Sequence, residues 1–344
     1  MGHVLQQGAL LGHVKWFSDF DFGDAPRVLG DLFTPTLIGL VAASTVVICT
    51  LVLIDSRLNG LGWYGAVNEW LSAHQEHSDV ILRAAMAAVL LVSWENRALL
   101  TPELQEGTAW VGWLQFVLAI ALLIPRTSRW AGAGIGLLWL VGVFEYGAFH
   151  MLDYLHYVGI SVYLFLSGHP KDALRGVALP ALYSTVGFAL IWLGFEKLVY
   201  PEWALHVLEE NPSLLLGMDA EFFLQGAAFV EISLGFLLII GLLERPLAAV
   251  ITLVFFTTTL IFGRIEVVGH TPLHAALVVF LLRGPGTLYR PPIELHGRRR
   301  LKVAFAAVNF VLVLSLIGVA YTASAQSQFD DHTSQNSRPA LPED

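Results

Sequence analysis

Apolar residues recur along the chain in long runs separated by short polar connectors. Ten runs stand out, at about residues 33–54, 80–94, 110–124, 130–149, 153–166, 179–200, 222–243, 246–262, 272–282 and 303–321. A helix needs about 20 apolar residues to cross a bilayer, and 344 residues hold roughly ten such spans with short loops. The predicted fold class is therefore all-α, a polytopic membrane helical bundle. Residues 1–32 read as an interfacial arm carrying Trp16, Phe17, Phe20 and Phe22, and 55–79 as a polar connector with a short surface helix. Residues 201–221 read as an exposed loop or lid, and 285–302 as a basic, Pro-rich connector. The tail, 322–344, is Ser- and Gln-rich and predicted to be disordered.

Composition agrees with this pattern. Hydrophobic residues make up 56% of the chain and charged residues 14%. Mean hydropathy is +0.65. No soluble domain is built this way. The single cysteine, Cys49, lies inside an apolar run and excludes an intramolecular disulfide framework and Cys-rich metal sites. The net charge of −9 gives no reason to expect nucleic-acid binding. No basic-then-apolar leader with a cleavage site is visible. P-loop, dinucleotide-binding, His-Glu-x-x-His and hydrolase-elbow motifs are absent.

Ten spans put both termini on one side. Twelve Lys and Arg lie on the connectors 1–2, 3–4, 5–6, 7–8 and 9–10, from Arg57 to Lys302, against six on the other side. The positive-inside rule then makes both termini periplasmic or extracellular in a bacterial-type inner (plasma) membrane. The bilayer is the expected first partner.

The chain also reads as two four-span units, 80–168 and 179–284, flanked by the first and last spans. Trp94-Glu95-Asn96-Arg97 matches Phe195-Glu196-Lys197 at an offset of 101 (196−95). Asp153-Tyr-Leu-His156 matches Thr271-Pro-Leu-His274 at an offset of 118 (271−153). Asp153 and Thr271 are expected N-caps, with Pro272 at the first helical position and Gly269 and Pro272 preventing an unbroken helix through the second cluster. An even number of spans per unit implies a pseudo-twofold axis along the membrane normal.

Residues Trp192-Leu-Gly-Phe-Glu-Lys-Leu198, followed by three further spans, resemble the DoxX family of small four-span membrane proteins. The resemblance covers about residues 180–284 and, more weakly, 80–168. It implies a tandem duplication of the family unit and a link to quinone- or thiol-related membrane redox systems.

A charge in the bilayer centre costs about 2.5–3.5 kcal/mol on insertion scales, so each one asks for a reason. Glu231, in the middle of a span, reads as a proton-carrying, catalytic or metal-binding carboxylate, or as a structural partner of Lys197, Arg97 or Arg264. Glu145 reads as a ligand or a partner of Arg264. Glu95 and Glu196 read as helix-end ion pairs. His150, Asp153 and His156 are spaced by three, and Glu266, His270 and His274 by four, so neighbours share helix faces. Imidazole and carboxylate are natural ligands for iron or copper. The expected metal set is His150, Asp153, His156, Glu231, Glu266, His270 and His274. His156 and His274 are alternatively the axial ligands of a haem.

The expected function is an integral-membrane oxidoreductase or electron-transfer subunit, with quinone as its substrate and a His/Glu site near the outer face. The alternatives are a proton-coupled transporter using Glu231, or a non-catalytic scaffold binding a partner subunit through 201–221.

Overall fold

The computed structural model describes Lys15 and residues 24–215 and 217–336, except for the side chains of 258–262, 264–265 and 335–336. The expected arm residues Trp16, Phe17, Phe20 and Phe22, the Arg264 side chain expected to pair with Glu145, and tail residues 337–344 lie outside that description.

The described residues form fourteen α-helices and no strand. In chain order they are α1 (Leu29–Leu32), α2 (Pro35–Leu58), α3 (Gly62–Ala73), α4 (His77–Glu95), α5 (Ala109–Leu123), α6 (Ser128–Tyr146) and α7 (Ala148–Met151). Then follow α8 (His156–Leu166), α9 (Asp172–Val199), α10 (Pro201–Glu210), α11 (Ala220–Ile240), α12 (Glu244–Phe262), α13 (Arg264–Arg283) and α14 (Arg299–Asn336). Every expected span falls on a helix. Among the described residues five helices, α2, α4, α9, α11 and α14, are long and apolar enough to cross a membrane, while α5 and α8 are shorter. The outward faces carry large apolar groups, with Phe144 88% exposed and Leu316 68%. Such a surface is solvated by lipid, and the protein is a multi-pass helical membrane protein.

The centre of the bundle is the α9–α11 pair. It closes through small residues, because a Cβ on Gly187 would meet Gly235 O and one on Gly235 would meet Gly187 O. Without a hydrophobic force between helices in lipid, such backbone approach is what holds them. The packing elsewhere is reciprocal. Helix α4 lies on α5 as α9 lies on α11, α6 on α8 as α12 on α13, and α8 on α9 as α13 on α4. The flanking helices α2 and α14 pack on one another, α2 also on α11 and α14 on α9.

Three boundaries differ from expectation. Asp153 caps no helix, since α8 starts at His156 and Asp153 sits in a buried turn after α7. Gly147, at φ +84°, makes a separate break ahead of it, between α6 and α7. Helix α13 runs unbroken through Gly269 and Pro272, with Gly263 rather than Thr271 at its N-cap. Lipid offers the backbone no alternative partner, so one missing N–H at Pro272 does not end the helix. Finally, α14 continues through the tail to Asn336, with Tyr321 and Ala325 buried against the bundle.

Candidate functional site

The end of the bundle that receives the arm holds a buried polar network. Its first part is built by the loop between α4 and α5. Gln115 on α5 reaches back with its amide, donating to Ala98 O at 2.8 Å and accepting from Leu100 N–H at 2.9 Å. Tyr157 Oη donates to Leu100 O at 2.8 Å. Thus clamped, the loop holds Glu103 over α7, where its carboxylate contacts His150 Nε2 and accepts from Tyr154 Oη at 2.7 Å. Trp139 Nε1 donates to Met151 O at 3.0 Å and fixes the end of α7.

The second part centres on Lys15. Its ammonium lies 2.6 Å from Asp153 Oδ2 and 2.6 Å from Glu196 Oε2, with all three side chains buried. Burial opposes the charge, but Asp153, Glu196 and Glu103 outweigh it and hold the Lys15 ammonium above the ordinary lysine range. Helix α10 roofs the group. Its apolar face is buried, Trp203 stacks on Tyr200 at 4.1 Å between ring centres, and Lys15 Nζ sits 5.6 Å from the Trp203 ring. Trp203 therefore covers the Lys15 group from the α10 side. The arm is strapped alongside, with Arg27 N–H donating to Val199 O at 2.9 Å and its guanidinium paired with Glu221 at 2.8 Å. Burial pushes the Tyr200 hydroxyl up to about 12, keeping it neutral. Asp153 Oδ1, Glu196 Oε1, Tyr200 Oη and Tyr321 Oη are buried with no hydrogen-bond partner among the described residues. Buried polar atoms of this kind are ordinarily satisfied by ordered water.

The third part joins the halves. Lys197 Nζ is 2.8 Å from Glu231 Oε2, both buried in the α9–α11 seam. On α13 the Glu266 carboxylate lies against His270 Nδ1, and His270 stacks on Phe255 at 4.6 Å. His156, 3% exposed, lies close to the Asp153 backbone and in electrostatic range of His270. His274 is half-buried, edge-on to Phe255, and also in range of His270.

The two clusters thus meet at one end of the bundle, but not as one ligand set. Among the described residues no three His, Cys, Asp or Glu side chains form a group that could hold a metal ion. The reason is visible in the pairs: His150 faces Glu103, Asp153 faces Lys15, Glu231 faces Lys197 and Glu266 faces His270. The residues do not fit a metal centre. His156 and His274, the expected axial ligands of a haem, each lie in electrostatic range of His270. Two members were not foreseen. Glu103 could have been suspected as a carboxylate in the loop on the His150 side. Lys15, 138 residues from Asp153, left no local signal. The Glu95–Glu196 equivalence ends at sequence, since Glu95 is exposed and Glu196 buried.

Beside the third part, an apolar cavity of about 400 Å³ opens between α1, α2, α9, α11 and α14. Leu32, Phe33, Phe195, Leu198, Phe229 and Gly318 are among its lining residues. Glu196 and Lys197 sit on the same turn of α9 as its wall.

Residues 184–264 match the DoxX family model, which covers α10, α11, α12 and the C-terminal half of α9. No curated protein and no solved structure matches the chain.

Proposed function

We propose that this membrane protein, DoxX-like over residues 184–264, handles quinone and carries the accompanying protons through its buried network. Reduction of a quinone by two electrons takes up two protons, so such a site needs a route from water to a lipid-soluble ring. The observation that carries the reading is the placement of the Lys197–Glu231 pair directly behind the wall of the lipid-side cavity. The cavity accepts an apolar ring and tail. Glu231, Glu196 and His156 supply sites where a proton can rest, and the partnerless Tyr200 and Tyr321 hydroxyls favour bridging water. Electrons come from a partner subunit, for which the exposed Glu202, Glu209 and Glu210 of α10 offer an acidic docking face. Neither metal nor haem enters this proposal.

The test uses the protein in nanodiscs, titrated with a short-chain ubiquinone or menaquinone analogue and followed by tryptophan quenching. Gly318→Leu fills the cavity, because a Cβ there already meets Phe195 at 2.9 Å. Saturable quenching weakened at least tenfold by Gly318→Leu supports the assignment; quenching that the substitution leaves untouched removes it.

One feature favours a transporter instead. The α7–α8 break at buried Asp153 resembles the interrupted helices that carriers place around a substrate. Proton-driven uptake into proteoliposomes that Glu231→Gln abolishes, without any quinone binding, would decide for that reading.

A further inference from the structure

The opposite end of the bundle holds a second cavity, about 400 Å³, unrelated to the network above. It forms where three connectors meet: the end of α2 with α3, the α11–α12 link, and the segment after α13. Three carboxylates, Asp55, Glu244 and Glu294, line it. Burial raises the cost of charging Glu244 most, the nearby Glu294 and Asp55 add to it, and Arg245 opposes it.

Two observations go beyond the presence of acidic groups. Glu244 is only 8% exposed, and its Oε1 has no hydrogen-bond partner among the described residues. Asn68 Oδ1 lines the same cavity and is likewise buried without a partner. Both are acceptors. Leaving such buried acceptors unpaired is costly, so the site asks for a donor.

The cavity's own cations do not serve. Arg245 lies in electrostatic range of Glu244 and partly offsets its charge, but its N–H donors are spent on the frame, going to Asn68 O and Leu281 O at 2.9 Å, Leu282 O at 3.1 Å and Ser72 Oγ at 2.7 Å. Arg283 is spent on Ser78 Oγ at 2.7 Å and Asp79 Oδ1 at 3.0 Å. Lys302 lies in electrostatic range of Asp55 and offsets one of the three carboxylates. No group of metal-ligating side chains forms among the described residues, and the volume is far larger than a bare ion needs.

We propose that this cavity binds a primary ammonium group, R–NH₃⁺, donating to Glu244 Oε1, Asn68 Oδ1 and a second carboxylate. Three N–H donors on one cation match two unpartnered acceptors and the surplus negative charge together. The group has two sources: the ethanolamine headgroup of a phospholipid, since the connectors gather at headgroup depth, or a small amine from the aqueous phase.

The experiment uses the full chain in a detergent free of aminolipid. Ethanolamine hydrochloride and tetramethylammonium chloride are titrated at matched ionic strength while the melting temperature is followed. Ethanolammonium is expected to raise it saturably and tetramethylammonium, which lacks N–H donors, is not. Glu244→Gln is expected to weaken the effect at least tenfold. Asn68→Ala provides the same reading if Glu244→Gln does not fold. Native mass spectrometry from nanodiscs with and without phosphatidylethanolamine separates the sources. Retained aminolipid lost in the variant identifies a headgroup site, and free ethanolamine binding without retained lipid identifies a soluble amine. Equal responses to the two cations, or wild-type responses in both variants, overturn the proposal.

Discussion

A buried ion pair is held less by its own strength than by the cost of stranding either member. Lys197 and Glu231 are both removed from water and lipid in the α9–α11 seam. Lys197→Met is expected to destabilise the protein by about 3–5 kcal/mol, because it leaves Glu231 without its partner. The double substitution Lys197→Met with Glu231→Leu should recover most of that loss. Thermal unfolding in detergent measures both, and a double variant no better than the single would mean that the pair does not act as a unit. The same reasoning applies to Lys15. Lys15→Met strands Asp153 and Glu196 together and should lower the melting point more than Arg27→Met, whose partner Glu221 is partly exposed. Individual charges of this kind were visible in the sequence. Their partners were not, with the exception of Lys197 for Glu231, which lie on adjacent helices of one unit.

Helices were the most legible part of this chain. The long bundle helices coincide with apolar runs, because the hydrocarbon layer sets one length scale for them, whereas α10 lies in a stretch read as an exposed loop. What the runs do not reveal is where a helix may break. The pattern placed a break at Pro272 and a continuous start at Asp153; the reverse holds. At Pro272, α13 is packed against α12 and α4, and one missing donor is tolerated. At Asp153 the chain turns between α7 and α8 and brings a carboxylate to Lys15. The α9–α11 contact depends on absent side chains. Gly235→Leu has nowhere to put its side chain, and overpacking costs typically about 1–3 kcal/mol. The expected outcome is a lower melting point and loss of the native elution volume, whereas Gly226→Leu, with open space around it, should leave both unchanged.

At the scale of the whole molecule, the reciprocal packing of the two groups of helices gives the bundle two chemically distinct ends. One collects the arm, α10 and the His-containing network; the other collects the basic connectors and the carboxylate-lined cavity. That division followed from span parity and charge counting, both of which a sequence displays. The sequence pairs His156 with His274; the structure instead puts His270 in electrostatic range of both, since the order in which side chains choose partners depends on helix rotation. Sidedness is directly measurable. With Cys49 replaced by Ser, a cysteine at exposed Glu209 should react with a membrane-impermeant maleimide on intact cells, and one at exposed Gly297 only after permeabilisation. Labelling of both from the same side would refute the two-ended arrangement.

The Lys15 contact sets an order of assembly. The residue leaves the ribosome before the helices that carry its two acidic partners, and it cannot settle until Asp153 and Glu196 have both been inserted and brought side by side. Lys15 is made before both partners, and the segment that carries it thus locks only after α9 has been inserted. A protein whose later helices have inserted wrongly keeps that segment loose, where quality-control proteases can seize it.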